Sequence, residues 1–474
     1  MDDTETLCLE GMRLHFIGVL GSGMRKLAKY AADCGADVSG SDVRHDPKID
    51  ELEEKGIDVT VGQKDSRLDT DIEMVVASQA IKTTNPEFSQ ARSMDAEVLR
   101  YPEFLGLMME GHRGIAVAGT HGKSTTSSIM SYLMKEGGLD PSFIIGAQVP
   151  QLGGGSRCGD SRHMVVEACE YKRSFLYLEP TVGLVTNIDR DHMDYYRDMR
   201  ELQGAFEDFA AEIRPDGQLL LNVDDPRVRE LAEHTDAEVI PCSLEDDSCR
   251  YSADRIWRAT RHTNFNVVYE GETVGRFQTS LYGTHNVLNS LMAIAACHEA
   301  GMSFETMQEL IPNFEGVNRR FELLGEPWDV PVLSDYAHHP REIEATLAAV
   351  RQKYPDKRLF CVFQPHQHSR TRMMLNELAD AFEGASKVLV ADIYGARDSD
   401  HEKQQINGAH LVRSLRERDH EAVFMPDFED IENKVVADVV PGDAVLVMGA
   451  GDVWKVADRI ANGIDNKPET HIAA

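Results

Sequence analysis

One stretch decides the fold of the middle of this chain: Val117-Ala118-Gly119-Thr120-His121-Gly122-Lys123-Ser124-Thr125-Thr126. An apolar run typical of a buried strand, residues 114–118, precedes it, and a helical pattern through residues 130–133 follows it. A glycine loop between a strand and a helix N-terminus surrounds a phosphate with backbone N–H groups, a lysine reaches the terminal phosphates, and a serine hydroxyl binds Mg²⁺. We therefore predict an ATP-binding loop, whose ligands are Gly119, Thr120, His121, Gly122, Lys123, Ser124 and Thr125.

An alternative interpretation of this loop is a solvated turn in which a serine or threonine only caps the following helix. The general phosphate-loop pattern has Gly or Ala at its first position, where this chain has Val117, so the loop is shorter than the common form. Strand, glycines, lysine, hydroxyls and helix nevertheless occur in the order that phosphate binding requires. This order favours the ATP-binding interpretation.

The composition indicates a globular protein of several domains. A chain of 474 residues with 42% hydrophobic residues is too long for one core and suggests two to four domains. No apolar run is long enough to cross a membrane, and the acidic N-terminus lacks a signal-peptide pattern. The eight cysteines are scattered without a Cys-x-x-Cys pair, which predicts reduced thiols and a cytoplasmic location.

The formal net charge of −31 argues against non-specific binding to nucleic acid. An anionic small-molecule substrate would need local lysine, arginine and Mg²⁺ to overcome this negative field. Both a monomer and a homodimer are compatible with the sequence.

Three α/β segments follow one another along the chain, and we place their limits at residues 1–109, 110–317 and 318–474. Strands that alternate with helices imply parallel sheets. The predicted fold class is therefore α/β in three domains: a Rossmann-like N-terminal domain, a central P-loop ATPase-like domain and a C-terminal Rossmann-like domain. Within the central domain, residues 265–269 and 273–277 flank Glu270-Gly271-Glu272, which predicts an antiparallel hairpin.

A second glycine loop, Gly18-x-x-Gly21-x-Gly23, follows the first predicted strand, and Asp42 lies about 20 residues further on. This pattern suits a dinucleotide such as NAD. It also suits a nucleotide-sugar diphosphate, because a helix N-terminus recognises the phosphate and not the nicotinamide. A tight turn without any ligand is the third interpretation.

A glutamate and a histidine lie near the points where two central strands are predicted to end. Glu167 follows the apolar run 164–166, and His192 lies in the polar string after residue 186. The carboxyl ends of strands build the ligand sites of α/β sheets, so Glu167 is a candidate for the metal site of phosphoryl transfer. A carboxylate at a strand end is by itself more often a helix cap or a surface charge, but the phosphate loop favours a metal ligand at Glu167. His192 by itself suits a catalytic or structural histidine.

Several strings resemble the Mur ligase family, which joins amino acids to carboxylates using ATP. They are the phosphate loop, Val166-Glu167-Ala168-Cys169-Glu170-Tyr171, the string Asp191-His192-Met193-Asp194, and Gly283-Thr284-His285-Asn286-Val287-Leu288-Asn289. The resemblance implies Mg²⁺ ligands at Ser124, Glu167 and His192. It also implies that Asn286 and Asn289 contact the adenine side of ATP and that Arg320 contacts the γ-phosphate.

The second glycine loop is similar to the UDP-binding loop of Mur ligases that act on UDP-N-acetylmuramic acid, although Leu20 stands where they commonly have glycine. The resemblance implies a UDP-sugar site formed by Gly21, Ser22, Gly23, Met24, Asp42 and Ser78.

The C-terminal segment resembles the branch of the family that adds L-alanine. Its strings are Ser334-Asp335-Tyr336-Ala337-His338-His339-Pro340 and Phe363-Gln364-Pro365-His366-Gln367-His368-Ser369-Arg370-Thr371-Arg372. The resemblance implies that Asp335 and Tyr336 contact ATP and that His338 and Arg370 bind the amino acid. The implied catalytic residues are Lys123, His192, Arg320 and His338, with either histidine as the base that deprotonates the amine.

Two alternatives remain beside this expectation. A tripeptide-adding Mur ligase shares all but the loops of the third domain. A regulatory protein that binds a nucleotide without catalysis would share the glycine loops alone.

Overall fold

The N-terminal segment consists of alternating strands and helices, as its sequence pattern predicted. The structure, a computed structural model, describes residues 7–63, 68–258 and 262–467. The elements of the first domain are β1 (Arg13–Ile17), α1 (Ser22–Asp33), β2 (Asp37–Asp42), α2 (Lys48–Glu53), β3 (Asp58–Val61), β4 (Met74–Ala77), α3 (Pro86–Ala91), β5 (Glu97–Arg100) and α4 (Tyr101–Met109). The five strands are parallel in the order β3-β2-β1-β4-β5. The order reverses beside β1, and the glycine loop between β1 and α1 lies at this switch point.

The central domain is built on a sheet of ten strands. Its elements are β6 (Arg113–Ala118), α5 (Lys123–Glu136), β7 (Ser142–Val149), β8 (Gly154–Arg157), β9 (His163–Glu167), β10 (Val182–Val185), α6 (Met199–Ala211), β11 (Gln218–Asn222), α7 (Pro226–Glu230), β12 (Glu238–Ser243), β13 (Tyr251–Arg258), β14 (Thr263–Tyr269), β15 (Glu272–Thr279), α8 (Thr284–Glu299) and α9 (Phe304–Leu310). The strand order is β15-β14-β13-β12-β11-β10-β6-β9-β7-β8. The phosphate-loop strand β6 lies between β10 and β9, so the ends of these three strands meet at one edge.

The predicted hairpin is present as β14 and β15, which pair in antiparallel register around Glu270 and Gly271. Both turn residues have positive φ, 49° and 80°, as a two-residue hairpin turn with right-handed strand twist requires. A third antiparallel strand, β13, was not predicted. It pairs with β14 and, in parallel, with β12, and thereby joins the hairpin to the main sheet.

The C-terminal domain contains a six-stranded sheet in the order β16-β17-β21-β18-β19-β20, in which only the edge strand β16 is antiparallel among the described strands. Its elements are β16 (Glu322–Gly325), β17 (Val332–Asp335), α10 (Pro340–Lys353), β18 (Arg358–Phe363), α11 (His368–Met373), α12 (Leu375–Asp380), β19 (Lys387–Val390), α13 (Asp400–Gln405), α14 (Gly408–Arg416), β20 (Ala422–Phe424), α15 (Phe428–Asp438), β21 (Asp443–Met448) and α16 (Trp454–Asp465).

The three sheets confirm the predicted class of three α/β domains. They span residues 13–100, 113–279 and 322–448, and the limits 1–109, 110–317 and 318–474 remain our proposal for dividing the chain. No helix among the described residues is both long and apolar enough to cross a membrane.

The N-terminal and central domains share one apolar core, whereas the C-terminal domain has its own. The shared cluster contains Phe16 and Phe104 of the first domain together with Phe175 and Phe206 of the central domain. The two apolar clusters of the C-terminal sheet draw on residues from Phe321 onward. The C-terminal domain is therefore the part that can move as a unit without opening an apolar core.

The prediction that all cysteines are reduced is wrong for one pair. Cys34 and Cys158 form a disulfide across 124 residues, while six other cysteines are free. Cys34 ends α1 of the first domain and Cys158 follows β8 of the central domain, so the bond links the two domains. Spacing in the sequence carries no signal for this pair, because the fold alone brings the two residues together.

Candidate active site

The phosphate loop adopts the geometry that anion binding requires. Gly122 has a φ of +86° and is the residue before α5, whose first residue is Lys123. The loop is fastened to the end of β10, because the His121 N–H donates to Asn187 Oδ1 at 2.8 Å and Thr186 Oγ1 donates to the His121 carbonyl at 2.6 Å. These two hydrogen bonds fix the position of the phosphate loop. The N–H groups of the first turn of α5 therefore lie beside the ends of β9 and β10.

Lys123 is held at this loop by a buried carboxylate. Its ammonium donates to Glu170 Oε2 at 2.9 Å and to the carbonyls of Gly119 and Thr120 at 2.5 and 3.1 Å. Burial opposes the charge, but the Glu170 carboxylate raises the pKa of Lys123 above its ordinary value. The lysine is therefore a fixed cation at the position where the terminal phosphates of a nucleotide would lie.

Oxygen atoms that suit Mg²⁺ lie beside the lysine. Ser124 Oγ donates to Glu167 Oε2 at 2.8 Å, and the same carboxylate oxygen accepts from the Gly146 N–H at 2.6 Å. A hydroxyl and a carboxylate oxygen are the ligands that Mg²⁺ prefers. His192 Nε2 lies 3.7 Å from Glu170 Oε1, and its buried Nδ1 has no hydrogen-bond partner among the described residues. Ser124 and Glu167 thus offer two oxygen ligands next to the phosphate loop, and His192 lies beside Glu170.

A cavity of about 750 Å³ opens between the phosphate loop and the C-terminal domain. Most of the predicted ATP contacts outside the loop line it, namely Asn286, Asn289, Arg320 and Asp335. Tyr336 does not line it and instead lies beneath Arg320, whose guanidinium is 4.9 Å from the ring centroid. Asp335 is engaged within its own domain, since its carboxylate accepts from the N–H groups of Phe321 and Ala337.

Two aromatic residues of this cavity were not predicted from the sequence. The rings of Tyr282 and Phe321 lie 5.3 Å apart on the cavity wall, with Lys353 Nζ 5.0 Å from the Tyr282 ring. Flat aromatic faces beside a phosphate loop suit a purine ring. Tyr282 adjoins the predicted string Gly283–Asn289 and Phe321 adjoins the predicted residue Arg320, and this adjacency was the available signal.

Glu342 was not predicted from the sequence, and its carboxylate contacts three predicted site residues. Its Oε1 lies 3.1 Å from His121 Nδ1 and 3.8 Å from Arg320 Nη1, and its Oε2 lies 3.1 Å from His338 Nδ1. These neighbours hold the pKa of Glu342 well below its usual range in spite of the burial. One carboxylate of α10 therefore joins the phosphate loop to two predicted catalytic residues. Its position three residues after His339, as in a capping box, was the only signal in the sequence.

The predicted amino-acid site contains His338 and Arg370, with His366 between them. The His338 and His366 rings are 5.5 Å apart, and the Arg370 guanidinium lies 3.0 Å from His366 Nδ1. Arg370 also donates to Asp191 Oδ1 of the central domain at 2.5 Å. Burial, followed by the nearby His338 and Arg370, lowers the pKa of His366 to about 2, so its ring is neutral. Arg370 and His338 are thus brought together beside the loop that carries His192.

The glycine loop of the first domain lies at the switch point of its sheet. Asp42 is buried and its Oδ2 accepts from the Leu20 N–H at 3.2 Å, so this carboxylate orders the loop from inside. Met24 packs in the apolar core, which leaves only its backbone available to a ligand. A side chain at Gly23 would collide with the ring of Tyr101. Gly21 and Ser22 form the start of α1, and Ser78 lies against Gly18.

The first domain also contacts the metal-binding region. Lys26 of α1 is buried and donates to the carbonyl of Gly146. The N–H of the same glycine donates to Glu167 Oε2. Burial lowers the pKa of Lys26 to about 8 although Glu167 lies nearby. The sequence analysis did not single out Lys26.

Comparisons with known proteins identify the family. Three family models match: the catalytic domain of the Mur ligase family over residues 13–113, the Mur ligase middle domain over 117–297, and the Mur ligase glutamate ligase domain over 319–451. A UDP-N-acetylmuramate–L-alanine ligase of Alkaliphilus metalliredigens is 38% identical over 448 residues, which are 94% of this chain and 96% of that protein.

Two solved structures share the fold at 24% identity. A UDP-N-acetylmuramate–alanine ligase from Thermotoga maritima aligns with a TM-score of 0.80 over 95% of this chain and 98% of its own. A murein peptide ligase from Psychrobacter arcticus aligns with a TM-score of 0.70 over 97% of this chain and 100% of its own. The two structures show the same three-domain fold. The family models and the relative of Alkaliphilus metalliredigens confirm what the motif strings predicted: the chain belongs to the Mur ligase family.

Proposed function

We propose that the protein is an ATP-dependent ligase that joins L-alanine to the carboxylate of UDP-N-acetylmuramic acid, a step of peptidoglycan precursor synthesis. The relative from Alkaliphilus metalliredigens, which carries the name of such a ligase, covers nearly the whole chain. The structural observation that carries the proposal is that the loop after β10 contacts both partners: the Asp189 N–H donates to Thr120 Oγ1 of the phosphate loop at 2.9 Å, and Asp191 pairs with Arg370 of the third domain. One site thereby combines a nucleotide loop with a cation suited to an amino-acid carboxylate.

The reaction proceeds in two steps. A carboxylate oxygen of the muramic acid attacks the γ-phosphorus of ATP, and the bond to the β-phosphate oxygen breaks to release ADP. The alanine nitrogen then attacks the carbonyl carbon of the acyl phosphate, the carbon–oxygen bond breaks, and phosphate leaves. Charge spreads over the phosphoryl oxygens in the first step, and Lys123 and Arg320 are the fixed cations that stabilise it.

His338 is the better placed of the two candidate bases. Its Nδ1 is oriented by the Tyr336 carbonyl and by Glu342, both at 3.1 Å, in the manner of a histidine held by a carboxylate. Its ring adjoins His366, which contacts Arg370, so it faces the proposed alanine site. His192 lies instead among Glu170 and Asp191, a position that suits a metal ligand.

Mg²⁺ is the proposed metal, held by Ser124, Glu167 and His192. When bound, it neutralises charge on the migrating phosphoryl group. The UDP-sugar would lie on the glycine loop of the first domain, at Gly21, Ser22, Gly23, the backbone of Met24, Asp42 and Ser78. We further propose a cytoplasmic enzyme that acts on small molecules as a monomer or homodimer, without a nucleic-acid or membrane partner.

The test is ADP release by the purified protein with ATP, Mg²⁺ and UDP-N-acetylmuramate, with L-alanine, L-serine, glycine or the murein tripeptide as the acceptor. L-Alanine should support turnover, and mass spectrometry should show the alanylated UDP-sugar. Lys123→Ala should abolish ADP release, because the cation of the loop is lost. Lys135→Ala, at the far end of the same helix, should leave it unchanged.

Two outcomes would contradict the proposal. Turnover with the tripeptide and not with L-alanine would assign the protein to the tripeptide-adding branch. ATP binding without ADP release for any acceptor would favour a regulatory nucleotide-binding protein.

A further inference from the structure

Three potential metal ligands meet where the phosphate loop contacts the third domain. They are His121 of the phosphate loop, Asp189 of the loop after β10, and His339 immediately before α10. Their ligand atoms all lie within 4.8 Å of one another. His121 Nε2 is 3.4 Å and His339 Nδ1 is 3.9 Å from the same atom, Asp189 Oδ2. None of the three is a proposed ligand of the Mg²⁺ site.

Each of the three side chains is oriented by a partner on its far side. His121 Nδ1 lies 3.1 Å from Glu342 Oε1, and His339 Nε2 lies 3.3 Å from the Arg190 carbonyl. Asp189 Oδ1 accepts from the Arg190 N–H at 2.8 Å. Histidines that bind metals characteristically donate their second ring N–H to a carboxylate or backbone carbonyl. Both rings therefore present the nitrogen that faces the cluster in an orientation suited to a metal ligand.

The nitrogen of His339 that faces the cluster has no partner. The side chain is only 3% exposed, and Nδ1 makes no hydrogen bond among the described residues, although it faces the first turn of α10. A neutral imidazole that donates from Nε2 to the Arg190 carbonyl, 3.3 Å away, carries its lone pair on Nδ1. A buried polar atom without a partner is costly to the fold. A ligand at the cluster would satisfy it.

We propose that His121, Asp189 and His339 form a binding site for a divalent transition-metal ion such as Zn²⁺. Two imidazole nitrogens and one carboxylate oxygen are a donor set that Zn²⁺ and Co²⁺ accept and that Mg²⁺, which prefers oxygen, does not. The ion displaces the proton that His121 Nε2 shares with Asp189, so one proton is released for each ion bound. Water completes the coordination.

The site joins the central domain to the C-terminal domain. His121 and Asp189 belong to the central domain and His339 to the C-terminal domain, which has its own apolar core. An ion bound to all three holds the phosphate loop against α10. Because substrates enter and products leave when such domains open, the bound ion inhibits the enzyme.

One neighbouring residue competes with the ion. Arg341 Nε lies 3.1 Å from Asp189 Oδ2, the same oxygen that the two histidines face, and the Arg341 side chain is 62% exposed. Removing this guanidinium leaves the carboxylate free for a metal. The site is therefore expected to bind more tightly in Arg341→Ala, whereas an ordinary ion-pair cluster would gain nothing from that change.

The experiment titrates the full-length protein with Co²⁺ in excess Mg²⁺ and follows the visible absorption bands that a Co²⁺ site with nitrogen ligands produces. We expect one ion per chain. His339→Ala should weaken binding at least about tenfold, the loss of one ligand. Arg341→Ala should strengthen it several-fold. His234→Ala, at an exposed histidine beside a single carboxylate, should leave the titration unchanged.

Several outcomes would overturn the proposal. They are a spectrum of hydrated Co²⁺ only, a titration that His339→Ala leaves unchanged, and an Arg341→Ala variant that binds no more tightly. Circular dichroism verifies that each variant is folded, and His339→Gln replaces His339→Ala if the latter is not. Because Co²⁺ binding is read without substrates, the result does not depend on which reaction the enzyme catalyses.

Discussion

Glu342 lies between the two halves of the candidate site. His121 of the phosphate loop and His338 of the proposed alanine site contact opposite oxygens of its carboxylate, and Arg320 adjoins it. We propose that this carboxylate orients the side chains of His121 and His338 and does not itself contact the reacting atoms.

We expect Glu342→Gln to lower kcat by about 100-fold, the cost of a misplaced catalytic group. The amide keeps the shape of the side chain but loses the charge that orients His121 and His338. The measurement is steady-state ADP release with the preferred amino acid. Glu344→Gln, an exposed carboxylate on the same helix, is the matched control and should behave as the wild type. Equal activity of the two variants would remove Glu342 from the site.

Arg370 provides a second test at the scale of one residue. Its guanidinium is buried and already bridges His366 and Asp191, so a bound amino-acid carboxylate would enter a formed cationic site. Arg370→Lys keeps the charge but loses the planar fork of donors. We expect KM for L-alanine to rise about tenfold, the cost of one charge-assisted hydrogen bond, while KM for ATP is unchanged.

The control for Arg370→Lys is Arg372→Lys, on the exposed side of the same short helix. Kinetics with L-alanine and ATP varied separately distinguish the two variants. If Arg370→Lys changes only KM for ATP, or neither KM, Arg370 does not bind the alanine carboxylate.

The phosphate loop requires a residue without a side chain at position 119. Gly119 has a φ of +129°, and a Cβ built there would lie 2.1 Å from Thr186 Oγ1. An alanine is thus excluded both by its backbone conformation and by the neighbouring strand. We expect Gly119→Ala to weaken ADP binding by at least about tenfold in calorimetry.

The matched control for this change is Gly204→Ala in the middle of α6, where a Cβ meets no heavy atom within 4 Å. Alanine favours a helix over glycine, so this variant should bind ADP normally and be more stable by about 0.5–1 kcal/mol. Normal ADP binding by Gly119→Ala would show that the loop can adopt another path.

The elements that the sequence predicts are those with a local pattern. The strand before the phosphate loop, the helix after it and the hairpin at Glu270-Gly271 each combine a hydrophobic period with glycine at a turn, and all three are present. β13 was missed because its residues alternate in polarity only in part. The edge strands β16 and β20 are short, three or four residues, and carry little pattern.

The residues of the candidate site likewise fall into those that have a local sequence pattern and those that do not. The glycines, Lys123 and the strings that contain His338 and Arg370 have recognisable sequence patterns. Glu342, Tyr282 and Lys26 do not, because their roles arise from domains that meet in space. The cluster of His121, Asp189 and His339 is assembled from three such segments.

At the scale of the whole molecule, two kinds of contact hold the domains together. The first two domains share an apolar core and the disulfide between Cys34 and Cys158. The third domain meets the central domain through charged pairs, among them Arg370 with Asp191 and Arg190 with Glu377. The structure therefore combines a pair of domains joined by a common core with a third domain that has its own core and meets the central domain through charged side chains.

The disulfide gives the last prediction. A thiol titration of the denatured protein should find six free thiols without a reductant and eight after reduction. Cys158→Ser should lower the stability by up to about 4 kcal/mol, because the bond restricts a long loop of the unfolded chain. Thermal unfolding measures this loss, and a reductant should lower the unfolding temperature of the wild type but not that of the variant.

Cys8→Ser, at an exposed free cysteine, is the control and should unfold as the wild type does. Because the two domains also share an apolar core, Cys158→Ser should remain folded and bind ADP as tightly as the wild type. Eight thiols before reduction, with no effect of the reductant on unfolding, would show that the pair is reduced in solution. A variant that loses ADP binding would show instead that the bond, and not the shared core, positions the central domain.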